Sequence, residues 1–230
     1  MFVFNNISSE NINGEKIKVI SLPSIAKSKE KITHIAVDGR DGDLTEINGY
    51  DAETKTIKGD YYGNNIDFLY NWLDGEGELI LSNQMDRFYE VRILSVELEE
   101  YLKNRYEITI KYKQQPFRYL LLGKETIQIT EPTTVYNPGN HSSKPYIKVY
   151  GSGNITLSFN NTNVVLKDVS NFIEIDSKKG NCYVTDSNGV VTDTNDKMYS
   201  PFPQLETGET NISWTGNVSK IEIIPRWCCK

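Results

Sequence analysis

The sequence predicts a mainly β protein in two halves. The first is a β-barrel or sandwich carrying one helix, and the second is a β-sandwich. Three observations carry that expectation. Tyr106, Ile108, Ile110 and Tyr112 alternate with Glu107, Thr109 and Lys111, the period of two of a half-buried strand. Only one segment has helical spacing, with Ile66, Leu69, Tyr70 and Leu73 at i, i+3, i+4 and i+7. Beyond a Pro- and Gly-marked interruption from Glu131 to Gly139, short apolar runs follow one another with no helical stripe.

The elements follow in chain order. Ile12 to Ile20 and Ile32 to Val37 read as strands. Between Val37 and Leu44, two Asp-Gly pairs flank Arg40, the composition of tight turns in which Gly takes positive φ. Asn64, three residues before Asp67, signals the start of the helix, and Asp74-Gly75 ends it. Glu78 to Ser82 and Thr126 to Thr130 read as strands. Phe88 to Val96 is apolar on both faces and belongs inside a sheet. The two halves are residues 1–130 and 131–230, each of ordinary domain size.

In the second half the expected strands are Tyr146 to Tyr150, Asn154 to Phe159, Val164 to Leu166, Phe172 to Ile175, Cys182 to Thr185, Ile212 to Trp214 and Val218 to Ile224. Gly151-Ser152-Gly153-Asn154, Asn160 to Asn163, Asn188-Gly189 and Gly216-Asn217 supply the turns. Such spacing is that of a sandwich.

Composition narrows the function. With 38% hydrophobic and 24% charged residues the chain can bury a core. Its 14 Tyr suit half-buried strand faces. A net charge of −6 argues against a nonspecific grip on nucleic acid, which needs cations to displace counterions from phosphates. It still permits an acidic channel through which nucleic acid slides. No apolar run approaches the roughly 20 residues of a membrane-spanning helix. Met1 to Asn6 opens without a basic segment ahead of an apolar one, so no secretory signal is expected. The Asn-x-Ser/Thr triplets at Asn6, Asn140, Asn154, Asn160, Asn211 and Asn217 therefore read as chance matches. Three Cys, two of them adjacent at Cys228 and Cys229, do not make a disulfide framework, and reduced thiols are expected.

No chemistry-bearing constellation stands out. His34 and His141 are the only histidines and neither has a ligand or triad partner at a useful spacing. No G-x-S-x-G elbow occurs. Glu99-Glu100 reads as a solvated connection between strands. The Asp38 to Asp43 cluster misses the offsets of a calcium loop. Gly151 to Asn154 precedes a strand, so it lacks the helix N-terminus that cradles phosphate and is better read as a hairpin turn. Trp214 and Trp227 could stack a sugar on a sandwich, although core packing is the commoner fate of such residues. No catalytic residue, metal ligand or cofactor is expected, and no binding residue can be named.

One resemblance spans most of the chain. Val37-Asp-Gly-Arg-Asp-Gly-Asp-Leu44 with Gly49-Tyr50-Asp51, then Ile108 to Tyr112 with Gln115-Pro116-Phe117-Arg118-Tyr119, resemble the first domain of the siphophage and prophage distal tail proteins (Dit). Tyr136 to Asn140, Ser143 to Ile147, Gly151 to Ile155, Ile173 to Asp176, Phe202 to Leu205, Gly208, Asn211-Ile212 and Pro225-Arg226-Trp227 resemble the second, in order. The resemblance implies a structural protein with no catalysis. Its first domain would form a belt-like hexameric ring at the tip of the tail tube. Its second would be a galectin-like β-sandwich facing outward. The implied partners are further copies of itself, the tail tube protein, a tail-associated lysin or baseplate hub, and a receptor-binding protein or fibre. DNA would cross the ring without specific binding, and no membrane is involved. The implied place is the virion tail tip, assembled in the bacterial host cytoplasm. The alternative is a carbohydrate-binding module that recognises host cell-wall sugar through the second domain.

Overall fold

The computed structural model describes residues Met1–Lys230, and it is mainly β. The strands are β1 (Phe2–Phe4), β2 (Ile7–Ser8), β3 (Lys16–Ser21), β4 (Glu30–Ala36), β5 (Asp43–Tyr50) and β6 (Glu53–Tyr62). Helix α1 (Ile66–Trp72) follows, then β7 (Glu76–Leu81), β8 (Gln84–Leu102) and β9 (Arg105–Leu120). The rest are β10 (Ile127–Ile129), β11 (Thr133–Asn137), β12 (Tyr146–Phe159), β13 (Thr162–Val169), β14 (Phe172–Asp176), β15 (Asn181–Thr185), β16 (Val191–Asp193), β17 (Gly208–Ile224) and β18 (Cys228–Cys229). No helix is long and apolar enough to cross a membrane.

The chain divides into two units, Met1–Arg118 with Lys230, and Tyr119–Cys229. The stretch from Tyr119 to residue 130, expected in the first half, belongs to the second unit. The reason is pairing: the Leu120 N–H donates to the Trp227 carbonyl at 2.9 Å, and Ile127–Ile129 run against Ile221–Ile223.

In the first unit an antiparallel sheet runs β2-β1-β7-β8-β9-β6-β3. The predicted alternation holds: Ile108, Ile110 and Tyr112 are buried, whereas Glu107 and Lys111 are exposed. Strand β8 lies between β7 and β9, as expected of a strand apolar on both faces, and is longer than its apolar run. Asn104, at φ 58° in the β8–β9 turn, takes the left-handed conformation that Asn tolerates.

Helix α1 covers the core, but its buried face is Leu69, Trp72 and Leu73, while Tyr70 is exposed. Trp72 stacks on Phe2 at 5.8 Å between centroids, and its indole N–H donates to the Phe4 carbonyl at 3.0 Å. The N-cap is Asn65 rather than Asn64, since Asn65 Oδ1 accepts the Phe68 N–H at 3.1 Å. The Glu15 carboxylate secures the preceding turn. It accepts the N–H groups of Asn64 and Asn65 at 2.8 and 3.0 Å, and the Tyr61 hydroxyl. Four of the strands in this unit, β1, β2, β5 and β6, have no counterpart in the sequence reading.

The second unit is built on two long antiparallel strands, β12 and β17, paired along their length. The lower part of β12, Tyr146–Tyr150, carries β14, then β15 and β16. Its upper part, Gly153–Phe159, carries β13. Likewise β17 pairs with β11 through Gly208–Ile212 and with β10 through Ile221–Ile223. Two layers result, joined by the same two strands. Ile147, Val149 and Ile223 from one layer and Leu157, Val164 and Ile212 from the other share one buried core.

Two expected turns are bends instead. Gly151 to Asn154 and Gly216-Asn217 lie inside continuous strands, where the register shifts twice, between Tyr150 and Gly151 and between Ser152 and Thr156. The strands approach closely there. A Cβ on Gly151 would stand 2.2 Å from the Asn217 carbonyl oxygen, and one on Gly216 2.4 Å from that of Asn154.

One ion pair closes the end of the sandwich. Arg226, at φ 53°, donates to both oxygens of the buried Asp176 at 2.6 and 3.1 Å. Burial by itself raises the Asp176 pKa, but the Arg226 hydrogen bonds and the N–H groups of Lys179 and Lys178 outweigh it and hold the carboxyl below its usual range. A depressed folded pKa gives stability that is present above about pH 4 and lost as pH falls through the folded value. Asp176→Asn is therefore expected to destabilise the second unit by about 3 kcal/mol at pH 7. Thermal melts between pH 3 and 7 should also show a shallower acid-side loss in the variant. Equal acid slopes would remove this pair from the account.

Candidate assembly interface

The most unusual surface is the hairpin of β4 and β5. These strands form a sheet of their own, pairing Ile32 with Ile47, Thr33 with Glu46, His34 with Thr45, and Ile35 with Leu44. Every residue from Lys31 to Asn48 is exposed. Ile32 and Ile47 point to one side of the ribbon, and Ile35 and Leu44 to the other, so both faces present apolar side chains to solvent. Ile47 remains 57% exposed and Ile32 45%.

Such a ribbon has two free strand edges and no core of its own. A lone hairpin is at best marginally stable in water, and a free apolar edge invites pairing with another chain. The base is fastened to its own unit. Tyr50 meets Phe117 edge-on at 5.3 Å, and Lys230 Nζ donates to the Tyr50 hydroxyl at 3.2 Å. Ser28 donates to the Pro116 carbonyl just before β4. The ribbon is therefore held at its root and presented at its far end.

The far end is the Asp-Gly cluster singled out in the sequence. It closes with Gly39 at φ 80° and Gly42 at φ 78°, and the Arg40 N–H donates to the Val37 carbonyl at 3.1 Å. The turn reading of Asp38 to Asp43 thus describes the tip of this hairpin.

The other candidates fall elsewhere. His34 is exposed on the ribbon; His141 is half-buried and bridges Cys228. Glu99 and Glu100 belong to strand β8 itself, not to a connection. No group of three or more His, Cys, Asp or Glu could hold a metal. All three cysteines are buried free thiols, and burial pushes Cys182 and Cys228 up to about 12, so both stay protonated at neutral pH.

On the second unit, Trp227 is buried in the core and offers no stacking face, and Trp214 packs against that core but stays partly exposed. A cleft of about 590 Å³ opens instead at one end of the sandwich, beside Asn161, Phe202, Gln204 and Glu206. On the outer face Glu174, although buried, is fully engaged. Desolvation raises its pKa, and hydrogen bonds from Thr185, Tyr146 and Lys148 more than compensate, holding it below the ordinary carboxylate value.

No protein-family model matches this sequence, and no curated protein is similar to it in sequence. Solved structures do resemble the fold. The SPP1 Dit protein, described as a paradigm of the hub adsorption apparatus in phages that infect Gram-positive bacteria, superposes with a TM-score of 0.71. It is 14% identical, and the match covers 96% of this chain and 97% of that one. A chain of the phage P2 baseplate in its activated conformation with Ca gives a TM-score of 0.50 at 11% identity, over 91% of this chain and 89% of that one. The mainly β, two-unit fold of this chain is thus that of the Dit hub protein over nearly its whole length.

Proposed function

We propose that this chain is a distal tail protein of a long-tailed phage or prophage. Its copies close into a hexameric ring that joins the tail tube to the baseplate and the receptor-binding apparatus. The first unit forms the ring and the second, a sandwich of galectin-like kind, faces outward. The protein acts at the virion tail tip after assembly in the bacterial host cytoplasm. DNA crosses the opening, and no catalysis is needed.

The observation that carries the reading is the β4–β5 ribbon. A ring needs an interface that joins two different patches and closes by rotation. A ribbon with two free edges and apolar faces supplies one of those patches, by sheet extension or face-to-face burial. The likeness to the SPP1 Dit fold adds weight, because it extends over both units and not over a sandwich alone. The sugar-binding alternative would use the cleft beside Phe202 or the partly exposed Trp214, since Trp227 is buried.

The test is assembly mass with negative-stain imaging over a concentration series. The expected result is a ring of six times the 26.3 kDa subunit. A subunit that stays single up to millimolar concentration, with or without tube and hub proteins, would sink the reading.

A further inference from the structure

We infer that the acidic tip of the β4–β5 ribbon of one copy seats in a cationic cleft on the first unit of the next copy, an inference that rests on the ring reading. The cleft has a volume of about 700 Å³ and is lined by Met1, Glu10, Lys16, Lys18, Tyr62 and Arg105. Lys16, Tyr62 and Arg105 form one cross-strand row over β3, β6 and β9. The Lys16 ammonium and the Arg105 guanidinium each lie 5.6 Å from the Tyr62 ring centre, so the aromatic face holds both cations in place. Lys18 follows two residues along β3, opposite Asp60 but without an ion pair to it.

Lys16, Lys18 and Arg105 are exposed, and none closes an ion pair within the subunit. The tip has the opposite character. Asp38, Asp41 and Asp43 outnumber Arg40, all four are exposed, and again none closes an ion pair. A chain of net charge −6 thus keeps three cations around one concavity, against Glu10 in its lining and Asp60 opposite Lys18, and three carboxylates on one projecting turn, with no ion pair closed in either set in the single copy. Unpaired opposite charges on a cleft and on a protruding turn are complementary surfaces, which set register and partner choice at interfaces. The two surfaces differ, so the contact is head-to-tail, as ring closure requires. The apolar ribbon faces would give the affinity, and the tip and cleft would fix which neighbour is met and at what angle.

Charge reversal in the full-length chain tests this. Lys16→Glu with Lys18→Glu and Arg105→Glu should raise the half-assembly concentration at least tenfold. Asp38→Lys with Asp41→Lys and Asp43→Lys should do the same. All six together should restore assembly to within about threefold of the unaltered chain, an energy difference under 1 kcal/mol. All six sites are exposed, so circular dichroism should be unchanged. The cleft variant sets Lys18→Glu opposite Asp60 and removes the cations over Tyr62, so it should melt lower, by no more than a few degrees. For the unaltered chain, half-assembly should need more protein as NaCl rises from 50 to 500 mM, because exposed charge pairs are screened. Rings that form from either triple variant at the native concentration, or that ignore salt, overturn the tip-in-cleft contact while leaving the ring intact. Triple variants that both fail and are not rescued in combination also overturn it. If the unaltered chain never forms a ring, the proposed function fails and takes this contact with it.

Discussion

Replacing Ile32 by Lys and Ile47 by Glu together is expected to leave the subunit folded and to abolish its assembly. The two residues face each other across the ribbon on one side, and both are already exposed. Neither contributes to a core in the single copy, so the Tm should move by no more than about 2 °C, as for other surface changes. The introduced Lys and Glu lie opposite each other and so remain compatible with the hairpin itself. In an assembled ring the same positions would be desolvated against a neighbour. Burying two charged groups in place of two apolar ones should then raise the half-assembly concentration about 100-fold or more, close to 3 kcal/mol. Sedimentation velocity reads the outcome directly. Normal assembly of this variant would mean that the ribbon is not an interface, whatever else joins the copies. Its effect should also differ in kind from charge reversal at the tip, because loss of apolar contact is not relieved by lowering salt.

What could be read from the sequence, and what could not, follows from where the burial signal comes from. Strand β9 was legible because Ile108, Ile110 and Tyr112 face a core and their neighbours face water. The helix was legible as a helix, but its true anchor, Trp72, falls outside the i, i+3, i+4, i+7 stripe, and Tyr70 within that stripe is exposed. Strand β5 left no signal of that kind. Its Leu44 and Ile47 point to opposite sides of a ribbon with no core on either, so no single-face alternation arises. Asp38 to Asp43 was visible as a turn, but only the structure gives that turn a projecting stem. The cationic cleft was not legible at all. Lys16, Tyr62 and Arg105 are brought together by the register of three strands, and nothing in the local text of any one of them points to the others.

At Gly151 to Asn154 and at Gly216-Asn217 the Gly-rich punctuation of the sandwich marks bending and not chain reversal, and that difference can be measured. Gly216→Val is expected to be the most destabilising single change in the second unit. Gly216 has φ 98°, a region that costs a residue with a side chain about 1–2 kcal/mol. Its Cβ would also lie 2.4 Å from the Asn154 carbonyl oxygen and 3.2 Å from the Ile155 Cα. Both are backbone atoms of β12, so no rotamer change relieves the clash and the two long strands must separate. Together the two effects should exceed about 4 kcal/mol, which in a unit of about 100 residues lowers the Tm by more than roughly 15 °C. Gly153→Ala is the control. It has φ 76°, but a Cβ there would meet nothing within 4 Å, so only the backbone cost of about 1 kcal/mol applies. Differential scanning calorimetry of the two variants separates a close approach from a merely left-handed residue. If Gly216→Val melts no lower than Gly153→Ala, the bends are ordinary loops. If it collapses the second transition as expected, strand contact at Gly216 is what lets β12 and β17 serve both layers, and so what shapes the second unit.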